Sequence, residues 1–224
     1  MNYQYLILDF DKVIAMPSTE NWDITPKFLE LVDINKINQD EFLKAKSKYQ
    51  KILSSKIMTL EEEYDMFVRF YDNILNEINY PNYHEISEKI AYNRTYEFDK
   101  YKLCENIKEE LDILRKKYIL ILLTDNWPCV YDYLKKYDLD KYFEKIYVSS
   151  IYGVEKKDGV FFDYPIKEFN IQPGDALFID DTETNLDVAK DKGLDVLLMD
   201  RENKVNNSKY QIIHDLNLQF NKIL

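Results

Sequence analysis

The 224-residue chain has only two cysteines and two histidines. Cys104 and Cys129 are too few for a framework of disulfides, and neither has the spacing to His84 or His214 that a zinc site requires. We therefore interpret both cysteines as free thiols. The sequence argues against the disulfide-stabilised and the zinc-binding classes of small protein.

Positive charge is also in deficit. The chain has 30 lysines and arginines against 41 aspartates and glutamates, which gives a formal net charge of -11. A nucleic-acid-binding protein needs a basic surface that releases the counterions of the phosphate backbone, so this balance argues against DNA or RNA as a partner. A small phosphorylated molecule needs only a few local cations and N–H groups, and an acidic chain can provide those.

Long apolar runs are missing as well. No stretch approaches ~18 consecutive apolar residues, the minimum for a membrane-spanning helix, so we expect no membrane partner. The first apolar run, Tyr5–Leu8, has no basic segment or cleavage site before it, which predicts a cytoplasmic protein. Hydrophobic residues at 46% and charged residues at 32% are proportions typical of a folded globular protein.

Short apolar runs alternate with helical stretches in the C-terminal half, which is the pattern of βαβ units around a buried parallel sheet. Five strands are predicted, at Tyr5–Leu8, Tyr118–Leu123, Lys145–Ser149, Ala176–Ile179 and Asp195–Met199. Helices are predicted at Asn106–Lys116, Pro128–Tyr137, Tyr164–Phe169 and Asn185–Lys192, and a last edge strand and helix within Tyr210–Leu224. The predicted fold class is α/β, with a doubly wound parallel sheet.

A helical insertion is predicted after the first strand. Between Lys27 and Tyr96 no β-rich run occurs, and Thr59–Glu62 fits a capping box that opens a helix. Apolar residues then recur at helical spacing, namely Tyr64, Phe67, Val68, Tyr71 and Leu75. We expect the many tyrosines of this segment to pack its own core rather than to line a ligand site.

The residues just after the predicted strands are the candidates for chemistry, because ligands of a doubly wound sheet bind beyond the carboxyl ends of its strands. These residues are Asp9, Asp11, Thr124, Asp125, Lys156, Asp180 and Asp181. Clustered carboxylates repel one another unless a cation holds them, and all-oxygen ligands favour Mg2+. A lysine and a threonine can hold phosphate oxygens that the metal does not reach. Each short motif alone is more often a solvated surface pair or a turn, but their order along the chain favours one phosphoryl-transfer site.

The same segments resemble the four motifs of the haloacid dehalogenase superfamily. They are Leu8–Ile14, Leu123–Asn126, Gly153–Asp158 and Phe178–Thr182, and the likeness extends from about Tyr3 to Met199. The resemblance implies a Rossmann-like core, residues 1–15 and 97–224, and a small α-helical cap domain, residues 16–96. The inserted segment itself resembles nothing specific.

Roles follow from the resemblance, position by position. Asp9 would be the nucleophile that forms an aspartyl-phosphate, and Asp11 the general acid and base. The substrate phosphate would be bound by Thr124, Asp125 and Lys156. Mg2+ would be bound by the set Asp9, Asp11, Asp180 and Asp181, with Asp9 and Asp181 as direct ligands and Asp180 in support.

Three residues depart from the family pattern. Lys12 stands where glycine is common, Lys157 where proline is usual, and Gly159 where a second proline is frequent. None of these changes removes a reacting group. Lys156 rather than Lys157 is assigned to the phosphate because it aligns with the family spacing.

The predicted function is therefore Mg2+-dependent hydrolysis of a small phosphorylated metabolite by a monomer or homodimer. The dehalogenases that the chain resembles lack the second aspartate, so Asp11 favours phosphate chemistry. Three alternatives stay open: a phosphomutase similar to β-phosphoglucomutase, a catalytically silent binding module, and a phosphonate-cleaving enzyme with a cap lysine as Schiff base. Trp22 and Trp127 are placed where they could contact substrate or pack a hinge.

Overall fold

A computed structural model describes residues 3–19 and 21–217. Its strands are β1 Tyr5–Leu8, β2 Ala15–Pro17, β3 Tyr101–Leu103, β4 Ile119–Thr124, β5 Lys145–Val148, β6 Ala176–Asp180, β7 Asp195–Met199 and β8 Ile212–Ile213. The helices are α1 Pro26–Leu31, α2 Gln39–Tyr49, α3 Leu60–Glu77, α4 Tyr83–Tyr96, α5 Ile107–Leu114, α6 Cys129–Lys136, α7 Ser149–Tyr152, α8 Val160–Glu168 and α9 Glu183–Asp191.

Six strands form a parallel sheet in the order β5-β4-β1-β6-β7-β8. Alternate residues of β1 point to opposite faces of this sheet, as strand geometry requires. Leu6 and Leu8 join one hydrophobic cluster with residues of α5 and α6, whereas Tyr5 and Ile7 join a second cluster with residues of α8 and α9. Both faces are thus covered by helices, which confirms the predicted doubly wound α/β fold.

The helices α1 to α4 build a third hydrophobic cluster of their own. Phe28, Met66, Phe70 and Ile90 are buried in it, and Tyr71 is buried among them, as predicted for the tyrosines of this segment. No described helix is both long and apolar enough to cross a membrane. The helical cluster fits the predicted cap, while the division at residues 15 and 97 stays a prediction.

Two local details of the helices differ from the sequence-based expectation. Helix α8 begins at Val160 rather than at Tyr164, because Phe161 and Phe162 are buried on a helical face against the sheet. The capping box at α3 forms only in part: Thr59 accepts the N–H of Glu62 at 3.2 Å, but the Glu62 carboxylate accepts the N–H of Met58 instead of Thr59.

One strand pairing was not predicted and one was. A short antiparallel ribbon, β2 with β3, was not predicted; it joins the two chain segments that enter and leave the helical insertion. At the C-terminus, β8 pairs with β7 as the predicted edge strand. The predicted terminal helix falls partly on residues 218–224, which lie outside the described residues.

Candidate active site

The strand order places the predicted motifs side by side. Strand β1 lies between β4 and β6, with Leu8 in register with Leu122 and Ile179. Since the three strands are parallel, their carboxyl ends meet at one edge, and the N–H of Asp9 donates to the carbonyl of Ile179 at 3.0 Å. Predicted residues from three motifs therefore converge on one crevice, as the sequence indicated.

Asp9 is buried and its carboxylate is held by two donors. Oδ1 accepts the N–H of Phe10 at 2.7 Å and lies 2.8 Å from Nζ of Lys156. Both contacts are to Oδ1, so neither engages Oδ2. The orientation of the carboxylate is therefore fixed while one oxygen is left outside these contacts.

Lys156 joins two motifs through a single buried ammonium. Only 1% of the residue is exposed, and its Nζ lies 2.6 Å from Oδ2 of Asp180 as well as close to Asp9. Burial alone would lower the pKa of Lys156, but the carboxylates of Asp180 and Asp9 raise it well above its usual value. The side chain is therefore a permanent cation at the centre of the site.

Lys157 has a different environment, although it is the next residue. Its side chain is 65% exposed and forms an ion pair with Glu155. The buried position at the carboxylate cluster thus belongs to Lys156, the residue to which family spacing assigned it.

Asp180 is saturated with hydrogen bonds. Its Oδ1 accepts the N–H of Thr182 at 2.8 Å, and Nδ2 of Asn185 donates to both carboxylate oxygens at 3.1 and 3.2 Å. Asn185 comes from the first turn of α9, and the sequence analysis gave it no role in the site. Its spacing, five residues after Asp180 at the start of a helix, is the signal that could have assigned it to this contact.

Three carboxylates are close enough to share a cation. Asp9, Asp180 and Asp181 each offer an oxygen within 4.8 Å of the other two. All-oxygen donors at this separation fit a hard divalent ion such as Mg2+. Asp11, the fourth predicted ligand, lies outside this group of three in the described part of the chain, so its role toward a metal stays a prediction.

Burial in the cluster raises the pKa of both Asp9 and Asp11. Burial is the main reason that the pKa of Asp9 is raised well above its usual range, opposed by Lys156 and reinforced by Asp180. The pKa of Asp11 is raised from 3.8 to about 7, again mainly by burial, with Lys156 lowering it and Asp181 raising it. The buried Lys156 and the partly exposed Lys12 are two cations against five aspartates, so they do not neutralise the cluster. A divalent ion would relieve this excess of negative charge.

Two buried oxygens in this cluster have no hydrogen-bond partner among the described residues. They are Oδ1 of Asp11 and Oγ1 of Thr124, and Thr124 is fully buried at the end of β4. Buried polar atoms nearly always have a hydrogen-bond partner in folded proteins. Two such atoms without a partner, at the ends of neighbouring strands, indicate a place for a ligand atom.

Asp125 has a structural partner. Its two carboxylate oxygens accept the backbone N–H of Lys156 at 3.1 and 3.3 Å. A carboxylate repels a phosphate dianion, so this contact assigns the side chain to holding the Lys156 loop. A role of Asp125 in phosphate binding stays a prediction.

A cavity of about 520 Å³ extends from this cluster toward the helical insertion. Asp11 and Asp125 line it on the sheet side, and Arg94 and Gln50 line it on the helical side. Trp22 and Trp127 are both among its lining residues, so both could meet a ligand. The size suits a small metabolite.

The lysines of the insertion are not among the described residues that line this cavity. Lys46 forms an ion pair with Asp23. Lys48 forms an ion pair with Glu77, with Nζ 2.7 Å from the carboxylate. None of the set Lys44, Lys46, Lys48, Lys51 and Lys56 appears among the described residues around the cavity. This arrangement disfavours a Schiff-base lysine in the cap.

Comparison with known proteins places the chain in a family. A family model described as haloacid dehalogenase-like hydrolase matches residues 4–193. A D-ribitol-5-phosphate phosphatase from Bacteroides thetaiotaomicron is 30% identical over 89 residues, which are 37% of this chain and 43% of that relative. The match thus spans less than half the length of this curated relative.

Solved structures share the fold over nearly the whole chain. A magnesium-bound Bacillus subtilis protein described as a haloacid dehalogenase-type hydrolase, YfnB, has a TM-score of 0.69 at 19% identity and covers 100% of this chain and 99% of its own. A 2-haloacid dehalogenase from Pseudomonas syringae has a TM-score of 0.66 at 12% identity, with coverage of 98% and 97%. At these identities the likeness concerns the fold alone.

Proposed function

The chain belongs to the haloacid dehalogenase-like hydrolases, and we propose that within this family it is a Mg2+-dependent phosphatase that hydrolyses a small phosphorylated metabolite through an aspartyl-phosphate. The observation that carries the proposal is the position of Asp11. A second aspartate with a pKa of about 7 stands in the same buried cluster as Asp9, where it can give and take a proton at neutral pH. The partial match to a ribitol-phosphate phosphatase supports a small phosphate ester as the substrate.

In the first step an oxygen of the Asp9 carboxylate attacks phosphorus. A P–O bond forms to Asp9 and the P–O bond to the leaving group breaks, and Asp11 donates its proton to the departing oxygen. Lys156 and Thr124 would hold phosphoryl oxygens while charge shifts toward the leaving group. The unpaired Oγ1 of Thr124 and the ammonium of Lys156 beside Asp9 support these roles. The products of this step are the free alcohol and the aspartyl-phosphate.

In the second step Asp11, now ionised, takes a proton from water. The water oxygen attacks phosphorus, the bond from phosphorus to Asp9 breaks, and inorganic phosphate leaves. Mg2+, which Asp9, Asp180 and Asp181 would hold, would withdraw charge from the phosphoryl oxygens and lower the repulsion between them and the carboxylates. After the second step Asp9 is a free carboxylate and Asp11 is protonated again, so the enzyme has returned to its starting form.

The test is phosphate release from a panel of phosphomonoesters with Mg2+, comparing the native chain with Asp9→Asn. This substitution keeps the volume of the side chain and removes the nucleophilic carboxylate, so we expect turnover to fall by roughly 10³-fold or more. Asp65→Asn, at an exposed position of α3, is the matched control and should turn over like the native chain.

Two results would contradict the proposal in different ways. If Asp9→Asn retained full turnover, the aspartyl-phosphate route would be wrong. If the native chain released no phosphate from any ester, hydrolysis would be wrong, and a requirement for a sugar bisphosphate would then indicate the mutase.

A further inference from the structure

The side of the cavity formed by the helical insertion carries a buried arginine. Arg94, at the end of α4, is 4% exposed and lines the same cavity as Asp11. Within the described residues its guanidinium has no carboxylate oxygen at 4.0 Å or less, and its Nε has no hydrogen-bond partner. A buried arginine is ordinarily paired with an acid, so this one has unused capacity to bind an anion.

The contacts that Arg94 does make fix its position without neutralising its charge. Nη1 donates to the carbonyl of Trp22 and lies 3.5 Å from the hydroxyl of Tyr71. The guanidinium carbon is 4.3 Å from the ring centre of Phe67 and 5.7 Å from that of Trp127. Two aromatic faces therefore hold the planar group, which limits the entropy that it would lose on binding a ligand.

A second buried cation adds to the positive charge here. Lys100 is 6% exposed, and its Nζ contacts the carbonyl of Arg94 and, at 3.0 Å, the sulfur of Cys129. The buried acid that interacts with both cations is Glu63, and its Oε2 accepts the N–H of Cys129 at 2.8 Å. Asp23 also interacts with Arg94 and lines the cavity, but it is paired with Lys46. The three cations Arg94, Lys100 and Lys46 thus stand against the two acids Glu63 and Asp23, which leaves one positive charge in excess among these groups.

The opposite side of the cavity has the reverse charge balance. There the carboxylates of the Asp9 cluster outnumber Lys156, and Mg2+ with a phosphate would complete the set. Asp11 would protonate the leaving oxygen, so the leaving group begins at Asp11 and extends into the cavity that Arg94 also lines. The part of the substrate that reaches the insertion therefore meets the guanidinium of Arg94.

We propose that Arg94 binds a carboxylate on the leaving group, so that the substrate is a phosphorylated hydroxy acid rather than a neutral phosphorylated polyol. Arg94 presents a rigid fork of N–H donors, and that fork matches the two oxygens of a carboxylate. The hydroxyls of Ser149 and Ser150 also line the cavity and suit the remaining hydroxyl groups of such a substrate. This inference rests on the proposed phosphatase function and names the substrate class of the same site.

The experiment uses pairs of esters that differ only in the carboxylate. One pair is 3-phosphoglycerate and glycerol 3-phosphate, and a longer pair is ribonate 5-phosphate and ribitol 5-phosphate. For at least one pair we expect the native chain to have a kcat/KM for the acid that exceeds its kcat/KM for the alcohol by about tenfold or more. The reason is that an ion pair with a buried arginine contributes a factor of about ten or more to affinity. Equal rates, or a preference for the alcohol in both pairs, would overturn the inference and leave the phosphatase proposal standing.

Variants separate recognition from a merely structural role. Arg94→Gln should lower the acid-to-alcohol ratio of kcat/KM about tenfold, mainly through KM of the acid, and Arg94→Lys should recover part of that ratio. If Arg94 had only a structural role, its substitution would lower kcat/KM for both esters by the same factor and leave the ratio unchanged. That result would overturn the inference. Arg69→Gln, at an exposed arginine of α3, is the matched control and should keep the native ratio.

Binding can be measured independently of turnover. Calorimetric titration of Asp9→Asn with each ester in the presence of Mg2+ should give a lower Kd for the acid, and the double variant with Arg94→Gln should lose that difference. If the native chain releases no phosphate but the acid still binds more tightly, the phosphatase proposal fails and the recognition role of Arg94 stands. If the acid and the alcohol bind equally, the recognition role fails whatever the turnover.

Discussion

Lys12 is a residue in which this chain departs from its family pattern. It has a left-handed backbone with φ of 56°, and its Nζ lies 3.1 Å from Oδ2 of Asp181, a carboxylate of the candidate metal site. A glycine would adopt this backbone at no steric cost, whereas a lysine is strained in it. The ion pair with Asp181 offsets some of that strain. The ammonium contacts one of the two carboxylate oxygens with which Asp181 could bind a metal ion.

We predict that Lys12→Met binds Mg2+ more tightly than the native chain. Removing a partly exposed ion pair with Asp181 should lower Kd by roughly two- to fivefold, the range that corresponds to the strength of such pairs. Isothermal titration with Mg2+ measures this directly. Lys36→Met, which removes an exposed lysine of the insertion and changes net charge equally, should leave Kd unchanged; a similar gain there would attribute the effect to net charge.

The raised pKa of Asp11 should make the stability of the protein depend on pH. Its pKa is 3.8 before folding and about 7 in the folded chain, raised chiefly by burial, so the folded state binds more protons across that interval. The contribution of Asp11 to stability in EDTA should therefore be complete below pH 3.8 and should be lost as pH rises from there to about 7, because the unfolded chain ionises first. Asp11→Asn should show a smaller fall.

Urea unfolding at several pH values in EDTA measures this slope. Asp65→Asn is the surface control and should keep the native slope. Saturating Mg2+ should reduce or reverse the fall, since a metal ion binds the ionised carboxylates. An unchanged slope in Asp11→Asn would contradict the assignment.

Helix α7 determines how the insertion meets the sheet. The helix ends at Gly153 with φ of 70°, and a Cβ there would lie 3.3 Å from Cβ of Lys56. Next to it the N–H of Ile57 donates to the carbonyl of Ser150 at 3.0 Å. One short helix thus contacts both the cavity and the chain segment that precedes α3.

Gly153→Ala should consequently affect both stability and catalysis. The left-handed backbone should cost about 1–2 kcal/mol of stability, and the displaced Lys56 segment should reduce kcat/KM several-fold. Gly174→Ala is a matched control, because Gly174 has φ of 84° and nothing within 4 Å of its Cβ position. It should lose similar stability with no effect on kcat/KM; equal catalytic loss in both variants would contradict this role of the Lys56 contact.

The whole molecule carries a net charge of -11, and its proposed substrate is an anion. The long-range field therefore opposes capture of the substrate, even though Lys156 would hold the phosphate once it is bound. We predict that kcat/KM rises about two- to fivefold between 10 and 150 mM salt at saturating Mg2+, because salt screens the repulsion. Steady-state kinetics at constant pH measures it, and a fall with salt would indicate local attraction instead.

The strands and their terminal residues were predictable because the signal is local. A run such as Tyr5–Leu8 is apolar throughout since both faces of the sheet are covered, and the polar residue that follows is then at the ligand edge. The start of α8 was not predictable in the same way. The helix was predicted to begin at Tyr164, but burial of Phe161 and Phe162 extended it to Val160.

The sequence by itself therefore determined the fold class and the carboxylates that line the edge of the sheet, because period and order along the chain carry that information. Only the tertiary structure decided which atoms meet: that one ammonium, of Lys156, lies against both Asp9 and Asp180, and that Arg94 lines the cavity with Asp11. Such contacts join residues far apart in the chain. They depend on how helices pack on the sheet, and a local pattern does not encode that packing.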